Sequence, residues 1–159
     1  RGVVAKFWLV GGIDPSNPSS LSDAEVDAIT QEGICEVLGF REDVHAIYSD
    51  SSIVCLPSYR EGLPKSLIEA AATGRAIITT DVPGCRDVVI HKKTGLLVPV
   101  KDDMSLADAL QYLIENAPER TAMGEASRRL AESTFSMPLV IKAHLDIYET
   151  LTTDPNSRA

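Results

Sequence analysis

I-V-C-L-P-S-Y-R-E-G-L-P-K-S-L-I-E-A-A-A-T-G-R-A-I-I-T-T, residues 53–80, decides the fold. An apolar, β-rich run (53–57) enters a polar loop. Pro64 then opens a stretch of small and apolar residues that reads as a helix through Thr73, with Gly74 as its stop. A second apolar run, 76–80, follows at once and reads as the next strand. Two carboxylates mark the unit: Glu61 in the loop and Glu69 along the helix, with seven residues between them.

The same alternation extends in both directions. Upstream, residues 5–12 and 34–40 read as strands. Between them lie a Pro/Ser loop (14–20) and a helix that Ser22 and Glu25 open as a capping box and Gly33 ends. Asp43 opens a short helix through Val44, Ile47 and Tyr48. Downstream, 81–85 reads as a turn before a short helix, and 94–100 as a fifth strand. Ser105 and Asp108 are expected to cap a helix whose Leu106, Ala109, Leu110, Leu113 and Ile114 share one face. Helices after Pro118 and Pro138 complete the chain. Short buried strands alternating with helices predict an α/β fold: a doubly wound, mostly parallel Rossmann-like sheet with C-terminal helices. One domain is expected over 1–152, with a frayed tail at 153–159. Ligands of such sheets bind at the carboxyl ends of the strands. The segments Gly11–Gly12, Gly39–Arg41, Ser58–Lys65 and Asp81–Cys85 all fall at such ends.

The chain has 159 residues, of which 44% are hydrophobic and 24% charged, as suits a single domain with a core. A net charge of −8 argues against nucleic acid as a partner and against this domain lying on an anionic membrane. The three cysteines form no C-x-x-C pair. Cys35 and Cys55 read as small core residues and Cys85 as the more exposed one. Reduced thiols fit a cytoplasmic location, with membrane association left open for the full-length protein. No G-x-G-x-x-G or G-K-[ST] phosphate loop is present, and His45, His91 and His144 lack metal-ligand spacing.

The two carboxylates have a physical reading. A helix starting near Pro64 offers the N–H groups of Lys65, Ser66 and Leu67, and its dipole favours an anion such as a diphosphate. Glu61 lies in the loop on the far side of that anion. Glu69 sits about 8 Å along the helix axis. A carboxylate accepts two hydrogen bonds, which matches the vicinal diol of a ribose. Lys65 adds positive charge near the phosphates. From spacing alone, Glu69 reads equally as a solvated residue paired with Lys65.

P-S-Y-R-E-G-L-P-K-S-L-I-E-A-A-A-T-G-R-A-I-I-T-T-D-V-P-G-C-R-D-V-V, followed by T-G-L-L-V-P-V-K-D, closely resembles the C-terminal donor-binding half of the retaining GT-B glycosyltransferases of family 4, or group 1. The resemblance rests on an E-x7-E motif, an apolar-alanine helix ending in Gly, a following apolar strand, a Gly-containing turn and a G-L-L-V strand. It implies that Glu61 positions the donor sugar as the catalytic-site residue. Glu69 would hold the ribose, and the backbone of Gly62, Leu63, Lys65 and Ser66 would bind sugar and phosphates. Pro64 stands where Gly is commoner and offers no N–H, so one such contact is lost. Arg41 would lie near the base, its alternative being a solvated loop arginine. Gly84 would line the phosphate side, its alternative being a turn former.

The activity implied is transfer of a sugar from a nucleotide diphosphate sugar, UDP-linked, to a glycan or lipid-linked acceptor in polysaccharide biosynthesis. It would proceed without metal or other cofactor. The alternatives are a non-catalytic nucleotide-sugar-binding module and a sugar-nucleotide epimerase of GT-B architecture. The opening R-G-V-V-A-K reads as the end of a helix. The resemblance implies an earlier strand and an acceptor-binding N-terminal domain that this chain lacks. The expected results are an isolated fragment without activity and an exposed sheet edge open to self-association.

Overall fold

The computed structural model describes residues 2–14, 16 and 20–153. The expected loop at 14–20 lies partly outside the described residues, as do residues 154–159 of the expected tail. The chain forms two compact units, Arg1–Ile47 and Tyr48–Ala159. The architecture is α/β with two parallel sheets, one of two strands and one of three.

In the first unit β1 (Trp8–Val10) pairs in parallel with β2 (Glu36–Gly39), aligning Trp8 with Glu36 and Leu9 with Val37. α1 (Asp23–Glu32) connects them. It begins where the sequence says it should: Ser22 accepts the Glu25 N–H, and Glu25 accepts the Ser22 N–H at 2.8 Å. Gly33 ends it at φ 65, a left-handed conformation that glycine adopts without a Cβ clash. Residues 2–6, expected as part of a helix end, have no regular secondary structure. Gly2 and the β-branched Val3 and Val4 are poor helix formers. Next in the chain comes α2 (Val44–Asp50).

The second unit carries β3 (Ile53–Leu56), α3 (Lys65–Ala72), β4 (Ala76–Thr80), α4 (Pro83–Val88), β5 (Gly95–Val98), α5 (Asp103–Glu115), α6 (Ala117–Thr134) and α7 (Met137–Thr153). The strands run parallel in the order β3-β4-β5. All five residues of β4 are buried, and their alternation builds two cores. Ile77 joins Leu67, Ala70, Ala71, Cys85 and Val88 on one face. Ala76 and Ile78 join Leu96, Val98, Leu113 and Met123 on the other.

Four local expectations are corrected. Pro64 is the N-cap of α3, not a helical residue. Asp102, rather than Ser105 or Asp108, caps α5: its carboxylate accepts the Ser105 N–H at 2.9 Å and the Ser105 hydroxyl at 2.6 Å. The Ser105 bonds hold the Asp102 carboxyl below the usual carboxylate range. The 81–85 turn is shorter than expected, because Pro83 already begins α4, as proline does readily at a first helical position. The cysteines exchange roles. Cys85 is fully buried, its sulfur 3.1 Å from the Thr79 hydroxyl oxygen. Cys35 is half-buried, and Cys55, on the edge strand β3, is exposed as a residue although desolvation of its thiol pushes the pKa up to about 11.

Ser127 of α6 is fully buried, and its hydroxyl has no hydrogen-bond partner among the described residues. A stranded buried hydroxyl is unfavourable, and alanine is the better helix former. Ser127→Ala is therefore expected to stabilise the protein by about 1 kcal/mol, read as a raised midpoint in urea at unchanged m-value.

Candidate functional site

The candidate site of the second unit is built on the loop 57–64, which runs from the carboxyl end of β3 to α3. Its backbone is fixed at three places. At its start, the Thr80 hydroxyl at the end of β4 donates to the Ser58 carbonyl, and Thr79 donates to the Leu56 carbonyl at 2.7 Å. In its middle, Gly84 of α4 abuts the carbonyls of Glu61 and Gly62: a Cβ on Gly84 would overlap the Gly62 oxygen and lie 2.6 Å from that of Glu61. At its end, Pro64 is buried and starts α3. Gly84 is thus no turn former. It is a buried helical residue whose missing side chain lets α4 touch the loop.

This anchoring decides what the loop presents. The carbonyls of Glu61 and Gly62 point into the contact with α4, while Gly62 and Leu63 are exposed and the Glu61 side chain is half-buried. Among the described residues, no side chain or backbone group bonds the Glu61 carboxylate. Beyond Pro64, α3 has no side-chain cap. The Leu67 N–H, expected to be free, instead donates to the Pro64 carbonyl at 3.1 Å, closing the first turn. Lys65 and Ser66 therefore carry the leading N–H groups of α3, where the helix dipole favours an anion.

Glu69 is half-buried one turn further on and pairs with Lys65, Nζ to Oε1, at 3.3 Å. The Lys65 side chain is 88% exposed, so the pair is weak and opens readily to a ligand. Tyr48 lies near Glu69: burial first, and the Glu69 charge second, raise its pKa above the ordinary phenol value. The structure thus brings together Glu61, Gly62, Leu63, Pro64, Lys65, Ser66, Glu69 and Gly84. Arg41 belongs to the first unit, after β2, where Asp43 grips its guanidinium through two bonds of 2.8 and 2.6 Å. In that unit the Gly11 N–H donates to the Gly39 carbonyl at 2.9 Å, joining the two strand ends expected to meet there.

Two contributors were not read from the sequence. Thr80 anchors the loop by its hydroxyl, and nothing in A-I-I-T-T separates that role from an ordinary strand threonine. Lys101 lies over the Tyr59 ring, 5.6 Å from its centroid, and no linear spacing links the two residues.

Parallel α/β units with an anchored, carboxylate-bearing loop at the strand ends define a Rossmann-like domain of the GT-B class. The chain belongs to the glycosyl transferases group 1 family, which it matches over residues 5–130. It is 30% identical over 145 residues to the N,N'-diacetylbacillosaminyl-diphospho-undecaprenol alpha-1,3-N-acetylgalactosaminyltransferase of Campylobacter jejuni, covering 91% of this chain and 37% of that enzyme. It is 26% identical over 150 residues to the capsular polysaccharide biosynthesis glycosyltransferase CapM of Staphylococcus aureus, covering 94% and 39%. Among solved structures it resembles Anabaena Alr3699/HepE in complex with UDP, with a TM-score of 0.78 and 21% identity over 94% of this chain and 41% of that one. The chain thus spans about two fifths of the length of these relatives.

Proposed function

We propose that this chain is the donor-binding part of a retaining glycosyltransferase that moves a sugar from a UDP-linked nucleotide sugar to a glycan or lipid-linked acceptor in polysaccharide assembly. The observation that carries this reading is the anchored loop. Its Glu61 carboxylate is left unbonded just before the uncapped N–H groups of Lys65 and Ser66, and Glu69 follows one turn deeper. A diphosphate on those N–H groups has the sugar on the Glu61 side and the ribose on the Glu69 side. The names of the relatives support the acceptor class, and the UDP complex of HepE supports the nucleotide.

In this reading Glu61 accepts hydrogen bonds from sugar hydroxyls and holds the anomeric carbon in reacting geometry. The α3 N–H groups and Lys65 stabilise the charge that develops on the leaving diphosphate. The acceptor attacks from the face the phosphate leaves, which retains the anomeric configuration. Glu69 releases Lys65 and takes the ribose hydroxyls.

The test uses the gene product that carries this chain. UDP is expected to raise its melting temperature, while GDP and ADP are not, since a ligand that binds the folded state shifts the transition. Glu61→Gln is expected to lower kcat and leave UDP affinity unchanged, because Glu61 touches the sugar and not the nucleotide. Absence of a shift with every nucleotide, together with no transfer from any nucleotide sugar, overturns the proposal. A product of inverted anomeric configuration overturns the retaining mechanism.

A further inference from the structure

We propose that Lys101 is a positioning residue for the donor loop, holding Tyr59, and through it Glu61, by a cation–π contact across the carboxyl edge of the sheet. The inference rests on the functional reading above. Lys101 has φ 60, and Lys92 is the only other described non-glycine residue with a positive φ. An L side chain in that region is disfavoured by about 1–2 kcal/mol, and glycine would relieve it. The turn from β5 to α5 imposes the conformation, because Val98 ends the strand and Asp102 already caps the helix. A lysine therefore occupies a position where glycine would be relaxed. Backbone strain of this kind concentrates at functional sites.

The side chain supplies the reason. Its ammonium lies 5.6 Å from the centroid of the Tyr59 ring, although Tyr59 is 61% exposed and lies in the loop after β3. Thr80 anchors the loop at Ser58 and Gly84 braces it at Glu61 and Gly62. Between those points lie Tyr59 and Arg60. The Arg60 carbonyl accepts only a bond from within the loop, from the Ser58 hydroxyl at 3.3 Å. The Lys101–Tyr59 contact ties this middle stretch to another element, two residues before the carboxylate that faces the donor sugar. A left-handed backbone at residue 101 and the aromatic ring at residue 59 thus belong to one brace.

The experiment compares Lys101→Gly, Lys101→Arg and Tyr59→Leu in the gene product that carries this chain. Lys101→Gly removes both strain and cation. It is expected to leave the melting temperature unchanged or higher and to raise the donor KM about two- to fivefold, the range of an exposed cation–π contact. Lys101→Arg keeps the cation and is expected to restore the wild-type KM. Tyr59→Leu should match Lys101→Gly, and the double variant should add nothing further. Trypsin cleavage after Arg60 gives a readout apart from activity and is expected to quicken in Lys101→Gly. An unchanged donor KM and an unchanged cleavage rate overturn the proposal while donor use by the wild type, lost in Glu69→Ala, leaves the functional reading intact. Faster cleavage in a protein that uses no nucleotide sugar overturns the functional reading, and the donor-positioning role with it.

Discussion

Glu69→Ala is expected to weaken UDP binding about a hundredfold in the gene product that carries this chain, the value of losing charge-assisted hydrogen bonds to two ribose hydroxyls. Isothermal titration with UDP measures it. The side chain is half-buried beside Tyr48, and its present partner, Lys65, is almost fully solvated. Little of the fold depends on that pair, so the variant should unfold close to the wild-type temperature. Lys65→Ala is the informative companion. If Glu69 served only to pair with Lys65, the two variants would behave alike, and neither would change the affinity for a nucleoside lacking phosphate. If Glu69 holds the ribose, Glu69→Ala weakens uridine and UDP together, whereas Lys65→Ala weakens UDP alone. Equal UDP affinity in wild type and Glu69→Ala removes the ribose assignment.

Gly84→Ala is expected to be the most disruptive small substitution near the site. The added methyl would meet the Gly62 and Glu61 carbonyl oxygens, which are backbone atoms and cannot swing aside as a side chain can. Either α4 withdraws or the loop shifts. α4 is locked by Cys85 and Val88, both fully buried, so the loop gives way. Overpacking of this kind costs about 1–3 kcal/mol, which in a chain of this size lowers the melting temperature by several degrees. The displaced Glu61 should also lower kcat for sugar transfer by more than the loss of stability accounts for. A crystal structure of Gly84→Ala with the loop in its original place, or a variant as stable as the wild type, contradicts this account.

Much of the architecture was legible because its signals are local. The capping box at Ser22 and Glu25, the glycine at position 33 and the apolar runs at 53–57 and 76–80 each act over a few residues, and all are found in the structure. The misreadings came where a local signal had a competitor. Asp102 outcompeted Ser105 as the cap of α5 because a carboxylate one turn earlier can accept both the Ser105 N–H and its hydroxyl. Pro64 suits both an N-cap and a first helical position. Cysteines in apolar runs look alike until the sheet order shows that β3 is an edge and that α4 presses Cys85 against Thr79.

The candidate site divides along the same line. By itself the sequence determined that a loop carboxylate, a helix N-terminus and a helical carboxylate follow one another in register, since helical rise and strand–helix alternation are properties of adjacent residues. It also determined the family, through the order of several motifs rather than the spacing of one. Only the tertiary structure decided how the loop is held. Thr80 at Ser58, Gly84 at Glu61 and Gly62, and Lys101 over Tyr59 join positions about twenty to forty residues apart, and such pairings arise only when a parallel sheet brings the ends of its strands together.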